Sequence, residues 1–512
     1  MSAATQQHFD VIIIGAGLSG VGSACHIAQQ CPDKSLAILE RRERMGGTWD
    51  LFRYPGIRSD SDMASFGFDF KPWYSKQVLA KGPDIREYVV ETAKEYGVEN
   101  KVHFGIDIVE ANWSSDQELW VLTARNNQTN EQLTYTCQFL NNCTGYYNYD
   151  QGYRPTFNHE EAFKGQIIHP QHWPDDLDYS DKSVVIIGSG ATAVTLVPAM
   201  ADKTKHITML QRSPTYYMPL PDTDHISKIL NKFLPRAWVF KFVRRFNIFM
   251  QRSMFKLSTR WPERARKFFI GLVKKELGDQ FEEANFTPKY NPWEQRLCVA
   301  PDGDLFDSMK SGKASVVTDE IDCFTKEGIR LKSGKTLEAD IIITATGLNI
   351  QLLGGMKLKV DNEEVNFANR MVYKSSMIQD VPNFIWVFGY TNAPWTLKCD
   401  ITARYLCRLI KHMDAHQQTV ATPVDYKNSM TEEGILDSFS SGYVQRSTHI
   451  MPKQGKAAPW RIEMHYENEK KVLLKEKLDD GILVFKEKET QHSSHDKSKH
   501  AQKKVEDTAR AG

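Results

Sequence analysis

The apolar positions of the chain gather first into the run Phe9 to Ile14, interrupted only by Asp10. A run without polar alternation predicts a strand buried on both faces of a parallel sheet. It enters Gly15-Ala-Gly17-Leu-Ser-Gly20, after which Ala24, Ile27 and Ala28 recur at helical spacing, and a second strand is predicted over Ser35 to Leu39. The same succession returns with the strand Ser183 to Ile187, the turn Gly188-Ser-Gly190-Ala-Thr192-Ala193 and the strand His206 to Leu210. Alternating strands and helices predict an α/β fold with two dinucleotide-binding, Rossmann-like domains. From about Thr215 to Lys289 the period becomes helical. There Val239, Phe242, Val243, Phe246, Phe249 and Met250 form a stripe, with Arg236, Arg244, Arg245 and Arg252 between them. One reading is a helix lying on a membrane surface through 236–252. The plainer one, which the stripe of any globular helix favours, is a helical subdomain packed on the nucleotide domain. Later come a strand ending at Thr344 before Gly347, a strand over Phe384 to Gly389, and a helix opened by Pro394 and continued by Ala403, Leu406, Leu409 and Ile410.

These elements divide the chain. Residues 1–145 and 346–486 make the first dinucleotide domain with a C-terminal region, 183–214 and 290–345 make the second, and 215–289 form a helical insertion in it. Residues 146–182 are a linker. Beyond about Lys486 the chain turns polar and charged, and 487–512 is expected to be a disordered tail. Its His492, His495 and His500 make no metal site, and no metal is expected elsewhere.

Composition narrows the partners. The 512 residues carry a net charge of +1, so no global field argues for nucleic acid. The eight cysteines are scattered without a C-x-x-C pair, which suits free thiols in a reducing compartment and supports neither a disulfide scaffold nor a zinc site. Met1 to Asp10 has no basic start and apolar core, and no run of about 18 apolar residues follows. A cytoplasmic protein is expected, soluble or peripheral to the inner or plasma membrane.

The glycine turns carry distinct chemistry. Gly15 permits a tight turn, Gly17 lets the backbone approach a pyrophosphate, and Gly20 lets helix and strand pack closely. The helix N-terminus adds free N–H groups for the phosphates. Glu40 closes the second strand about 20 residues on; a carboxylate there takes ribose hydroxyls and repels a 2′-phosphate. In the second unit Gly188, Gly190 and Thr192 repeat the turn with alanine in third place. Its next strand ends in Gln211-Arg212-Ser213-Pro214 instead of an acid. An arginine beside a hydroxyl suits a 2′-phosphate. The pair reads as FAD first and NADPH second. Trp395 and Thr396, at the start of the late helix, are candidates for a substrate wall.

Between the two units stands Phe163-x-Gly165-x3-His169-x3-Trp173-Pro174. A histidine such as His169 is by itself most often structural, but the whole pattern resembles that of the Baeyer–Villiger flavin monooxygenases, in which it joins the FAD and NADPH domains. The run Met45 to Asp62 and the run Tyr146-Tyr-Asn-Tyr149 are similar to the subgroup of the mycobacterial ethionamide-activating monooxygenase. The resemblance implies that Gly47, Thr48 and Trp49 approach the flavin. It further implies that Arg296 is the active-site arginine and that Asp60 is the carboxylate paired with it; Asp62 reads as surface or cap. Gln295 departs from the lysine that often contacts the 2′-phosphate in relatives. The implied activity inserts one oxygen of O₂ beside a ketone carbonyl through a C4a-peroxyflavin, giving an ester or lactone, with sulfides as further substrates. Two rivals share the architecture: an N- or S-oxygenating flavin monooxygenase, and a non-catalytic flavin-binding scaffold. A disulfide reductase would need a C-x4-C pair, and the sequence has none.

Overall fold

The structure is a computed structural model that describes residues 6–75, 77–295, 297–437 and 441–488. The apolar run of the first unit is a strand, Gln7–Ile14, hydrogen-bonded in parallel to Leu36–Glu40 on one side and Gln132–Asn142 on the other. Because side chains alternate across a strand, the run divides between two cores. Val11 and Ile13 face the helix α1 (Leu18–Gln30) and the late helix Trp395–Ala415, whereas Ile12 and Ile14 face Leu122, Leu140 and Trp386. Each such buried side chain contributes about 1.5–3 kcal/mol. This explains why the run lacks alternation: both faces are covered.

The first sheet runs Val102–Phe104, Leu36–Glu40, Gln7–Ile14, Gln132–Asn142, Leu119–Asn126, Ile106–Ser114, Lys357–Val360, Glu363–Glu364. Phe384–Trp386 also joins it, alongside the C-terminal end of Gln132–Asn142. The second sheet is wholly parallel, in the order Ala314–Thr318, His206–Gln211, Ser183–Ile187, Ile341–Thr344, Gln166–Ile168. Its strands all lie between 166 and 344, inside the stretch that separates the two contributions to the first sheet. Val184 and Ile186 pack toward α5 (Ala191–Met200), while Val185 and Ile187 pack toward Phe163, Phe324 and Leu337.

Four short or intervening helices carry the rest of the argument: α2 (Thr48–Leu51), α3 (Met63–Phe66), α4 (Gly82–Glu95) and α6 (His225–Leu230). Two longer ones follow, α7 (Arg236–Arg260) and α8 (Pro262–Leu277). The helical period expected from Thr215 onward does not begin there. Tyr216–Leu220 is instead a strand, paired in parallel with Leu297–Pro301 on the far side of the helices. Its partner lies some 80 residues away, so nothing local announces it.

The insertion also packs differently from the plainer expectation. α8 lies against Tyr216 of that strand, but α7 crosses to the other unit and lies on α3. The contact is polar. The buried guanidinium of Arg244, 6% exposed, donates from Nη1 to the carbonyls of Ala64 (2.9 Å), Ser65 (3.0 Å) and Gly67 (2.6 Å). Asn247 and Gln251 donate to the carboxylate of Asp62, at 2.7 and 2.6 Å. Asp62 is thus the N-cap of α3, accepting from the Ser65 N–H, and also the anchor of α7. Arg244→Ala would leave three buried carbonyls without their donor. Each buried acceptor left without a donor costs about 1–3 kcal/mol, so the melting temperature should fall on the order of 5 °C. An unchanged melting curve would show that α7 is not held by this contact.

At the C-terminal end, Leu483–Glu487 pairs with Gln418–Pro423, and the Lys488 N–H donates to the Gln417 carbonyl. The ordered chain therefore reaches past Lys486. The expected tail, with His492, His495 and His500, lies outside the described residues apart from Glu487 and Lys488. No helix among the described residues is long and apolar enough to cross a membrane.

Candidate functional site

The two glycine turns open onto one cleft. Gly15 and Gly17 line one part of it, and Ala191, Thr192 and Thr195 of α5 line another. The reason for each glycine differs. Gly15 has φ +98°, and a Cβ there would meet the Cys143 carbonyl oxygen at 2.8 Å. At Gly20 a Cβ would sit 1.8 Å from the Gly15 oxygen, and at Gly188, φ +127°, 2.3 Å from the Ala345 oxygen. The chain itself requires glycine at these three positions. Gly17 and Gly190 are different, with φ of −83° and −78° that any residue adopts. A Cβ on Gly17 would meet only the Gly47 backbone, Cα at 3.5 Å and N at 3.9 Å, ordinary contacts, and a Cβ on Gly190 would meet nothing within 4 Å. Glycine there leaves room for something that is not part of the chain.

Around the first turn, Glu40 is buried at the end of its strand. Its carboxylate accepts from the Ala16 N–H (2.6 Å) and the Arg42 N–H (2.8 Å). Burial raises its pKa against these two bonds. It also lines the cleft, and a carboxylate has lone pairs beyond the two that these bonds use. Gly47 faces Gly17, has φ +55° and begins α2. The Thr48 hydroxyl lies 3.3 Å from the Tyr149 hydroxyl, whose pKa burial pushes up to about 12. Trp49 packs edge-on against Phe66, and both rings line the cleft. This turn is pinned by a feature that the sequence did not announce. The buried carboxylate of Asp50 lies 2.6 Å from Arg42, 3.0 Å from Arg86, 3.3 Å from Arg44 and 3.5 Å from Arg53.

The loop of Arg53 to Asp62 reaches the second unit through Gly56, φ +77°. A Cβ there would strike the Thr195 oxygen at 2.3 Å and the Ala199 Cβ at 2.7 Å. That close approach lays the loop across α5 and brings Arg58, Ser59, Asp60 and Ser61 to the cleft wall. Arg58 is paired with Asp304 at 2.5 Å. Asp60 lines the cleft. Arg296 lies outside the described residues; Leu297 beyond it opens a strand, and Val299 lines the cleft.

Arg212 and Ser213 are exposed at the end of His206–Gln211. They sit beside the second turn, where the Ser189 hydroxyl lies 3.5 Å from the Ser213 carbonyl. The late helix points its first residue at the cleft. Trp395 donates from Nε1 to the Ser19 hydroxyl (2.8 Å) and stacks on Tyr146, with centroids 5.1 Å apart. Thr396 is fully buried, its hydroxyl donating to the Phe66 carbonyl, and it stays out of the cleft. Tyr146, Tyr147 and Tyr149 all line the cleft; their spacing alone shows no such convergence.

The pattern 163–174 lies outside the cleft and ties the linker to the second half of the second unit. Phe163 packs edge-on against Phe324. A Cβ on Gly165 would meet the Asp340 oxygen at 2.1 Å. His169 Nδ1 accepts from the Gln171 N–H (3.2 Å), which leaves Nε2 to donate to the Gly347 carbonyl (3.3 Å). Burial lowers its pKa against that bond, so the ring is neutral at pH 7. Trp173 is half-buried against the core of the second sheet that holds Val184 and Ile186, and Pro174 closes the segment. Gly347 is where the chain leaves the second sheet, so His169 holds the linker to the crossover.

Comparison with known proteins agrees with this arrangement. The model of the family described as flavin-binding monooxygenase-like matches residues 8–416. MymA of Mycobacterium tuberculosis is 54% identical over 483 residues, covering 94% of this chain and 98% of that protein. The FAD-containing monooxygenase EthA of the same species is 49% identical over 481 residues, with coverage of 94% and 98%. Among solved structures, oxidized steroid monooxygenase bound to NADP superposes with a TM-score of 0.76 at 18% identity, covering 94% of this chain and all of that one. The ε-caprolactone-bound cyclohexanone monooxygenase gives 0.74 at 18% identity, with the same coverage. The fold is shared with these structures, and identity near one half over almost the full length is shared with the two mycobacterial proteins. The chain therefore belongs to the flavin-binding monooxygenase-like family.

Proposed function

We infer that the protein is an FAD- and NADPH-dependent Baeyer–Villiger monooxygenase, which converts a ketone to an ester or lactone with one oxygen atom of O₂. The observation that carries the cofactor part is the pair of openings at Gly17 and Gly190, where the fold needs no glycine and a dinucleotide backbone does. Glu40 at the first opening suits a ribose without a 2′-phosphate, and Arg212 with Ser213 at the second suits one that carries it. The named relatives support the same assignment: EthA is FAD-containing, and the steroid monooxygenase is bound to NADP. The ketone part rests on the 163–174 pattern and on the shared fold with cyclohexanone monooxygenase.

A bound flavin would supply the redox chemistry between NADPH and O₂. The chain's own residues do the rest. The N-terminus of α1 and the backbone at Gly17 hold the diphosphate, and Glu40 orients the adenosine end. Trp49, Phe66, Tyr146 and Trp395 form an apolar wall that keeps water from the reacting atoms. Arg296, with Asp60 as its partner, supplies a fixed positive charge where negative charge develops as oxygen attacks the carbonyl.

Two measurements test this reading. A panel of ketones, thioethers and soft amines, scored by product and not by NADPH loss, should give esters from ketones. S- or N-oxides alone would favour the N- or S-oxygenating reading. Arg212→Ala should weaken NADPH about 10- to 100-fold, because a charged hydrogen bond contributes about 1.5–3 kcal/mol. NADH use should hardly change. Equal loss for both coenzymes would mean that Arg212 serves the fold or the common part of the coenzyme.

A further inference from the structure

The outward face of α7 is unlike that of a helix built to meet water. A surface helix normally turns its apolar stripe inward and its charges outward. Here Val239, Phe240 and Val243 are buried, and Arg244, Asn247 and Gln251 point inward with them to hold α3, yet Trp238, Phe242 and Phe249 stand 70%, 55% and 61% exposed on the opposite side. The pattern extends beyond one helix. Of the seventeen large apolar side chains exposed among the described residues, twelve lie between 226 and 268. Such a concentration marks an interaction surface.

Charge identifies what that surface meets. From His225 to Leu277, the span of α6 to α8, there are fourteen Lys and Arg against two Glu, in a chain with 65 basic and 64 acidic residues overall. Lys241, Arg245 and Lys256 are exposed beside the aromatic stripe. A second copy of the chain presenting the same face would set two strongly cationic surfaces together, which like-charge repulsion opposes. An anionic lipid surface satisfies both features: aromatic rings enter at headgroup depth, and basic side chains extend along the interface to the phosphates. No described helix can cross a bilayer, so α7 would lie in the plane of the interface.

We propose that α6 to α8 form a peripheral membrane-docking surface that binds anionic bilayers through the outward face of α7. The inward polar contacts present this face ready-made, so docking requires no refolding. The proposal does not depend on which substrate is oxidised.

The test uses the flavin-loaded protein with vesicles of phosphatidylcholine alone or mixed with phosphatidylglycerol. Wild-type protein should co-sediment with the mixed vesicles at low salt, bind phosphatidylcholine poorly, and release as salt rises. The triple variant Trp238→Ser, Phe242→Ser, Phe249→Ser should lose about tenfold or more in partitioning. Its flavin content and NADPH oxidation in solution should stay as in wild type. Lys241→Glu with Arg245→Glu should abolish the preference for the anionic lipid. Wild-type protein that ignores mixed vesicles, or a triple variant that binds them equally well, overturns the proposal. So does a lipid-free dimer, seen by sedimentation velocity, that the triple variant dissociates, since the face would then belong to a second copy.

Discussion

Replacing Arg296 by alanine should leave a protein that binds FAD and is reduced by NADPH, yet releases hydrogen peroxide and forms almost no ester. Oxygen attacks a ketone carbonyl only while negative charge is held on the attacking and accepting atoms. A guanidinium is charged at every working pH, and preorganised charge in a water-poor cleft needs no reorganisation at the moment of reaction. Losing one such group typically costs about 100- to 1,000-fold in turnover. Hydride transfer makes no such demand, so reduction of the flavin should continue. Lysine should restore only part of the activity, because a point charge lacks the planar fork. Asp60→Ala, which removes a carboxylate from the cleft wall, should give a milder form of the same uncoupling by misplacing Arg296. Stopped-flow reduction beside product analysis reads both halves. Near wild-type ester formation by Arg296→Ala would make this arginine structural.

The second large effect separates the two glycine turns. Gly17→Val should give folded but colourless protein, and Gly190→Val should give yellow protein that NADPH reduces roughly tenfold or more slowly. The choice of positions follows from space. Gly15, Gly20 and Gly188 would clash with the chain's own carbonyls, so their variants would confuse misfolding with lost binding. At Gly17 an added Cβ makes only an ordinary contact with Gly47 and at Gly190 it meets nothing within 4 Å, and the helix N-caps they occupy lose only about 1 kcal/mol or less. Far-UV circular dichroism should therefore match wild type while flavin absorbance and reduction rate diverge. If Gly190→Val loses the flavin and Gly17→Val keeps it, the two sites are assigned in reverse.

What the sequence made legible was local. The apolar runs before each glycine turn, the acid at Glu40 and the base at Arg212 depend on near neighbours. The strands form within a residue or two of their expected ends. What stayed hidden depends on distant partners. Asp62 read as a surface or capping residue, and it does cap α3, but its second role requires Asn247 and Gln251 from 185 and 189 residues away. The need for glycine at Gly56 arises only because α5 lies against it, which no near neighbour in sequence signals. The strand Tyr216–Leu220 was absorbed into a helical stretch because its partner is Leu297–Pro301. Phe242 and Phe249 fitted a buried stripe by spacing alone. The structure shows that only Val239 and Val243 of that stripe are buried, whereas Phe242 and Phe249 stand outward. Thr396 shared a cleft-facing expectation with Trp395, but successive helical residues point about 100° apart, and its hydroxyl closes on Phe66.

The central claim is oxygen transfer from O₂ to a ketone, and isotope labelling tests it most directly. Purified protein with FAD, NADPH and a ketone would be run under ¹⁸O₂, and product mass measured beside NADPH consumed. The account predicts an ester or lactone carrying one ¹⁸O atom, formed in proportion to NADPH. Consumption of NADPH that yields only labelled hydrogen peroxide across the ketone panel, or an ester without ¹⁸O, would contradict it.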